Sequence, residues 1–267
     1  MAIVYIQPGS GSGSGTKSDP YYYDELGTAE TAAGNGGTIL FTDGTYSFSA
    51  NQTWDAATLA DMTYKSENDR GAYLLGTTSM RRLTIGSSST STFKIEGFKA
   101  ANIYYTGNSA TTLTVNKIAH ADTFSGTRGS LGIFFLASST NLNVIKNSSF
   151  IVDYSGSDRF FHTAEQTTLT SCSFFLKCSA VGGNGITGFG SFGTAKNTIF
   201  MSDNSSAIHD NVMDTADCTN CCVHQMHSND ASGGTNNVFA DPQFVDSANG
   251  DLRLRPSSPC INAGTSS

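Results

Sequence analysis

A four-fold recurrence in the second half of the chain limits the folds open to it more than any other feature. Lys146-Asn147-Ser148-Ser149-Phe150 aligns with Ser171-Cys172-Ser173-Phe174-Phe175, then with Lys196-Asn197-Thr198-Ile199-Phe200, then with Asn220-Cys221-Cys222-Val223-His224. The steps from Asn147 to Cys172, Asn197 and Cys221 are 25, 25 and 24 residues. A period of this size marks a solenoid, in which each repeat is one coil that buries its apolar side against its neighbours. Stacked coils place like residues above one another. The alignment therefore predicts one column from Asn147, Cys172, Asn197 and Cys221, and a core-packing column from Phe150, Phe175 and Phe200.

Less regular strand candidates precede this block: Leu83-Thr84-Ile85, Phe93-Lys94-Ile95, Asn102-Ile103-Tyr104-Tyr105 and Leu113-Thr114-Val115. Asn51 to Gly76, with the sole tryptophan Trp54, fits no simple coil and reads as an irregular insertion. Gly182 to Gly193 is glycine-rich and reads as a loop leaving one coil, the kind of place where solenoids carry function. Only 14 % of residues are charged, against about 25 % in an average globular protein. Ser, Thr, Asn and Gly fill the difference, as strands with one solvated face and many tight turns require.

The ends of the chain have their own patterns. Residues 3–6 read as a first strand, and Gly9 to Gly15 as a flexible Gly/Ser loop. Asp24 to Ala33 reads as a short helix, with Leu26, Ala29 and Ala33 at helical spacing. Gly34-Asn35-Gly36-Gly37 ends it, and Thr38-Ile39-Leu40-Phe41-Thr42-Asp43-Gly44-Thr45-Tyr46 follows as strand, turn and strand. At the other end stand Asp241-Pro242-Gln243-Phe244, Gly250-Asp251-Leu252-Arg253-Leu254 and Ser258-Pro259-Cys260-Ile261-Asn262-Ala263-Gly264.

This DPxF…GDxxL…SPxIxxG run, with the opening strand, helix and GGTI…DGTY coil, resembles the pectate-lyase-like superfamily. The resemblance implies an all-β fold: a single-stranded right-handed parallel β-helix with an N-terminal helix cap and a C-terminal capping segment. It implies one domain over 1–267. Residues 1–46 would form the N-terminal strand, loop, capping helix and first coil; 47–240 the coils, with the irregular insertion near 51–76; and 241–267 the C-terminal cap. Uncovered solenoid ends would expose strand edges, which is the physical need for both caps.

Three constellations bear on chemistry. Hydrolases of this fold pair acids on neighbouring coils, one protonating the leaving oxygen and one activating water. Asp153, Asp158, Glu165, Asp203, Asp210 and Asp214 are the acids available. Asp153 and Asp203 are 50 residues apart, so two coils at ~4.8 Å each would set them about 10 Å apart, near the limit for an inverting pair. The alternative is that they are solvated turn carboxylates. Cys218, Cys221, His224 and His227, with His209 and Asp210 upstream, are a possible Zn²⁺ set, since thiolates and imidazoles are good zinc ligands. The alternative is buried thiols with surface histidines; otherwise no cofactor is expected. Tyr21-Tyr22-Tyr23 offers aromatic faces to a glycan, or packs the capping helix onto the first coil.

The signatures of pectin hydrolases of this fold (Asn-Thr-Asp, Asp-Asp, Gly-His-Gly, Arg-Ile-Lys) are absent. With a net charge of −7 and Arg81-Arg82 as the one close basic cluster, nucleic acid is an unsuitable partner. No apolar run approaches the ~18 residues of a membrane span, and no signal peptide is evident. Synthesis in a reducing cytoplasm with thiol cysteines is therefore expected. A capped solenoid without an export signal suggests a bacteriophage virion-surface protein, a capsid decoration or a spike. Its partners would be virion proteins such as the major capsid protein, side-by-side copies forming a homo-oligomer such as a trimer, or a cell-surface glycan. A polysaccharide-degrading or glycan-binding role is the alternative.

Overall fold

The computed structural model describes residues 2–54, 59–77, 81–85, 92–107, 112–121, 134–136, 143–154, 161–163, 167–178, 193–203, 217–225 and 234–264. They form a right-handed parallel β-helix with three longitudinal sheets. Sheet 1 begins with Tyr21–Tyr22 and Ile3–Gln7. It continues through Thr38–Phe41, Thr63–Ser66, Thr92–Glu96, Thr112–Asn116, Asn143–Lys146, Thr167–Thr170, Thr194–Lys196 and Asp217–Thr219. Sheet 2 runs from Gly44–Phe48 through Ala72–Gly76, Lys99–Ala101, Ala119–Ala121, Ser149–Tyr154, Ser173–Cys178 and Ile199–Ser202 to Cys222–His224. Sheet 3 holds Gln52–Trp54, Arg81–Ile85, Ile103–Gly107, Phe134–Leu136 and Phe161–Thr163.

Alternation along each strand sends every second side chain inward, and parallel register stacks these into rows. On sheet 1 one row reads Ile39, Tyr64, Ile95, Val115, Ile145, Leu169, Ala195 and Cys218, all buried. On sheet 2 the row reads Tyr46, Leu74, Ala100, His120, Phe150, Phe174, Phe200 and Val223. Its three phenylalanines stack with centroids 5.0 and 5.4 Å apart and rings within 14° of parallel. Each such pair adds about 0.5–1.5 kcal/mol beyond the area it buries.

The observed register shifts the sequence alignment by one residue at two coils. Asn147 stacks on Ser171, Asn197 and Asn220, because Lys146 pairs with Thr170, Thr170 with Lys196 and Lys196 with Thr219. Cys172 and Cys221 belong to the next column, with Ser148 and Thr198. Phe174, not Phe175, joins Phe150 and Phe200; Phe175 faces outward between Ile151 and Met201. In a structure of period two, a slip of one residue exchanges inside for outside.

The corner between sheets 1 and 2 explains the column. One residue there takes positive φ in successive coils: Gly97 (80°), Lys117 (57°), Asn147 (51°), Ser171 (54°), Asn197 (50°) and Asn220 (55°). Asparagine tolerates this left-handed conformation better than most L-residues. From Gly97 to Asn220, the N–H of each corner residue donates to a carbonyl of the following coil (to Asn116, Lys146, Thr170, Lys196, Thr219 and Thr235), over 3.0–3.2 Å. Two residues on, the N–H of Ser149, Ser173, Ile199 and Cys222 donates back to the preceding coil. Between them, Ser148, Cys172, Thr198 and Cys221 donate side-chain hydrogen bonds to the carbonyl two residues earlier, at 2.8, 3.4, 2.9 and 3.6 Å.

The stretch 51–76 is not an irregular insertion. Its described residues place Gln52–Trp54, Thr63–Ser66 and Ala72–Gly76 in line in all three sheets. Trp54 is fully buried against Phe41 and Tyr64, with centroids 5.0 and 4.9 Å away. The four earlier strand candidates lie within strands except for Asn102, a corner residue at φ 56°. The Gly182 to Gly193 loop lies outside the described residues but for Gly193.

At the N-terminal end, Tyr23–Glu25 forms a 3-10 turn and Leu26–Ala33 an α-helix. Leu26, Ala29, Glu30 and Ala33 are its buried face, the i, i+3, i+4, i+7 stripe that a capping helix needs. Gly34, at φ 66°, ends the helix and donates to Glu30 O. The Glu30 carboxylate is buried and accepts the Tyr64 hydroxyl at 2.7 Å. The Gly/Ser run is an ordered loop rather than the flexible one expected. Glu25 Oε2 accepts Gly13 N at 3.0 Å and Tyr22 N at 3.1 Å, and Tyr5 N donates to Gly15 O. A Cβ on Gly13 would lie 2.0 Å from Pro20 O, so the loop closes only with glycine there.

At the C-terminal end, Phe244–Asp246 and Asp251–Leu254 pair antiparallel. This segment caps the last coils and also folds back along the outside of sheet 2. Lys177 Nζ donates to Ala248 O at 2.6 Å, and a side chain on Gly250 would meet Ile151 Cδ1 at 3.5 Å. Ile151 is thereby buried although it points away from the solenoid core, and Phe175 beside it on the same face is buried as well.

Two stability predictions follow from the corner and the cap. Ser171→Gly relieves a left-handed strain of ~1–2 kcal/mol against a glycine entropy cost of ~0.5–1 kcal/mol, so stability rises by up to about 1.5 kcal/mol. Ser171→Val at the same exposed site lowers it by about 1–3 kcal/mol. Opposite shifts in urea midpoint check this, and equal shifts refute it. Tyr64→Phe takes a hydrogen bond from the buried Glu30 carboxylate and lowers stability by about 1–3 kcal/mol, read from the same titration.

Candidate functional site

The outer face of sheet 1 carries an extended array of polar groups. Two rows run parallel to the solenoid axis. One reads Thr38, Thr63, Lys94, Thr114, Val144, Thr168, Thr194. The other reads Lys65, Glu96, Asn116, Lys146, Thr170, Lys196, Thr219. Successive members are ~4.8 Å apart, the spacing of adjacent strands. Thr194 Oγ1 bonds to Thr168 Oγ1 along the first row at 3.3 Å, and the corner residue Asn147 donates from Nδ2 to Asn116 Oδ1 of the second row at 3.0 Å.

Lys65 pairs with Glu96 at 3.1 Å. Burial opposes the charge on Glu96, but the hydrogen bonds from Lys65 and Asn116 outweigh it and hold its carboxyl below the usual range. Lys94 and Lys196 are exposed and Lys146 is half-buried, so lysines outnumber acids on these rows, where Glu96 is paired with Lys65 and Asp217 continues the first row beyond Thr194. Reading single residues in sequence missed it. The signal lay in alternate strand positions, which become rows only once the register is known.

The row proposed for Asp153 and Asp203 can be followed in backbone register as far as Ser202. Asp153 lies opposite Lys177 and Leu176 opposite Ser202, so Asp203 follows one residue beyond the strand. The two positions are thus two coils, about 10 Å, apart. Lys177 stands between them, its ammonium held by Ala248 O of the C-terminal segment. Asp203 is exposed; the side chain of Asp153, and Asp158, Glu165, Asp210 and Asp214 entirely, lie outside what the structure describes.

The proposed zinc set is separated. Cys218 and Cys221 lie in the core, where the Cys218 thiol hydrogen-bonds to Cys221 and draws its pKa down against the effect of burial. His224 pairs with Met201 on the outer side of sheet 2, because Val223 takes the inward position between it and Cys222. His227 and His209 lie outside the described residues. Among the described residues no three His, Cys, Asp or Glu side chains are gathered as a metal site. Cys172, fully buried, has its thiol pushed up to about 12 by desolvation.

The tyrosine run serves the N-terminal end. Tyr23 lies against the core, stacked on Phe48 at 5.4 Å and edge-on to Tyr46 at 5.5 Å; its hydroxyl accepts Trp54 Nε1–H at 3.1 Å and meets Gln52 Oε1 at 3.3 Å. Burial pushes the Tyr23 phenol well above its ordinary pKa. Tyr22 sits against the loop, where a Cβ on Gly11 would come within 2.6 Å of its ring, and Tyr21 pairs with Ile6. A cleft of about 530 Å³ beside this run is lined by Tyr23, Asp24, Glu30, Gln52 and serines 47 and 49.

No family model matches the sequence, and no curated protein matches it. Among solved structures it is similar to the pectin methylesterase PemA from Erwinia chrysanthemi. The TM-score is 0.51 at 10 % identity, over 84 % of this chain and 80 % of that one. The pectate lyase Pel9A gives a TM-score of 0.46 at 14 % identity, over 100 % of this chain and 92 % of that one. At such identities the first likeness is one of fold, and the second, below a TM-score of 0.5, carries no argument. The likeness in fold agrees with the three-sheet solenoid observed here: the chain is a right-handed parallel β-helix.

Proposed function

We propose that the protein is a glycan-directed β-helix protein that holds an acidic polysaccharide along the outer face of sheet 1. The observation that carries this reading is the double row of hydroxyl, amide and ammonium groups running through successive coils. Hydroxyl and amide groups repeated at ~4.8 Å suit an extended sugar chain. The ammonium groups of Lys94, Lys146 and Lys196 favour an anionic one through long-range attraction despite the net charge of −7. Hydrolysis at the Asp153–Asp203 row is the catalytic extension of this reading, and loss of turnover in Asp203→Asn tests it separately.

The expected outcome is retention of the protein on an immobilised polyuronate and not on a neutral glucan, with affinity falling as salt rises. Lys146→Ala with Lys196→Ala weakens binding by about tenfold, since each exposed ion pair contributes up to ~1 kcal/mol. Equal retention on both columns, or a double variant with unchanged affinity, overturns the reading.

A virion-surface role, as capsid decoration or spike, is the second reading. The helix-covered N-terminal end and the C-terminal segment fastened to the wall support it, since a rod with closed ends and a polar exterior suits exposure on a particle. Mass spectrometry of gradient-banded particles tests it: recovery in proportion to the major capsid protein supports decoration, and absence from particles refutes the reading.

A further inference from the structure

The C-terminal segment touches the wall of the solenoid at several points, and one of them is a pair of thiols. Cys222 opens the last described strand of sheet 2 and points outward, opposite to Val223, which continues the inner phenylalanine row. Cys260 belongs to the Ser258-Pro259-Cys260 turn of the C-terminal segment. The two thiols lie close enough to shift each other's acidity. They share a cavity of about 410 Å³ with Asn197, Asn220, Leu254 and Asn262.

Both backbones are held in place. Cys222 N donates to Thr198 O, and its thiol reaches Ala240 O at 3.3 Å. Cys260 N donates to Ser258 Oγ at 3.1 Å, while Ser258 Oγ donates to Pro242 O at 2.6 Å. Ser258 is buried and Cys260 only half-buried, so Cys260 is the sulfur a solute meets. The two are also unlike in acidity. Hydrogen bonding from Cys222 draws the Cys260 thiol below its ordinary pKa, and the same contact, with burial, drives the Cys222 thiol up.

We propose that Cys222 and Cys260 are a redox modification site, oxidised by a low-molecular-weight disulfide to a bond that locks the C-terminal segment onto the last coil. The Cys260 thiolate attacks one sulfur of the small disulfide RSSR, forms a Cys260–S–S–R mixed disulfide and releases RS⁻. Cys222 then gives its proton to solvent and attacks the Cys260 sulfur, expelling the second RS⁻. Two protein thiols are oxidised and one small disulfide is reduced to two thiols. The order follows from geometry and acidity: the accessible, more acidic Cys260 attacks first and the sheltered Cys222 resolves. Cys221 lines the same cavity, but it points into the core, where its thiol reaches Ala195 O at 3.5 Å, and is turned away from the pair.

The experiment is a non-reducing peptide map of the intact, folded chain after incubation with oxidised glutathione, with remaining thiols alkylated. The expected result is one crosslinked species joining the peptides of Cys222 and Cys260, lighter than the reduced pair by two hydrogen atoms. The thermal midpoint of the oxidised chain rises by several degrees and falls back on reduction, because the bond closes a long loop of chain. Cys222→Ser, which cannot resolve, retains a glutathione adduct on Cys260. Recovery of both cysteines as alkylated thiols overturns the proposal, as does a bridge from Cys260 to any other cysteine. A Cys260 adduct in the unaltered chain that never resolves overturns it too.

Discussion

The corner between sheets 1 and 2 is the constraint on which the rest of the solenoid depends. One residue per coil turns the chain through a left-handed conformation. Its N–H bonds forward to the next coil, and the N–H two residues later bonds back to the previous one. Because from Gly97 to Asn220 the corner always takes two residues between strands, the phase of the strand before it fixes the phase of the strand after it. Inward residues of sheet 1 therefore dictate which residues of sheet 2 face inward. The repeated side-chain hydrogen bonds of Ser148, Cys172, Thr198 and Cys221 close the same corner from within. That explains why so small a residue set recurs there, and why a cysteine can stand where a serine or threonine does.

The solenoid was legible in the sequence because this corner recurs, and it was misread where the recurrence is loose. Pairing partners on sheet 1 lie 25 residues apart from Thr38 to Thr63 and 31 from Thr63 to Lys94. They lie 20 apart from Lys94 to Thr114 and 30 from Thr114 to Val144. A period varying this much hides the early coils, and it made the Trp54 region look like an insertion. Ser171 in place of asparagine drew the alignment onto the neighbouring cysteine. The Gly/Ser run reads as flexible by composition alone; what orders it is the Glu25 carboxylate and two tyrosine rings brought in by the folded chain.

Candidate chemistry was less legible for a related reason. Sequence spacing groups residues that are neighbours along the chain, and a β-strand divides such neighbours between two faces. Cys218, Cys221 and His224 look like one ligand set in sequence, yet the inward turn of Val223 leaves the thiols in the core and the imidazole outside. Asp153 and Asp203 were matched by coil period rather than by proximity, and the backbone register carries that period from Asp153 to Lys177 and from Leu176 to Ser202. Their spacing alone gave no sign of Lys177 between them, or of Ala248 bound to it.

The same division decides where cooperation between side chains is available in this molecule. Residues one apart on a strand cannot meet, whereas residues one coil apart must. A function requiring many weak contacts in line is therefore built into the wall at no conformational cost, and the Thr, Asn and Lys rows of sheet 1 are such an array. A function requiring three or four groups converging on one atom is not; it needs side chains supplied from outside the coils. Among the described residues the C-terminal segment supplies them, laying Ala248 on Lys177 and Cys260 on Cys222. Groups can thus converge along the line where that segment meets sheet 2, while groups stand in line along sheet 1, so the two outer faces differ by geometry alone.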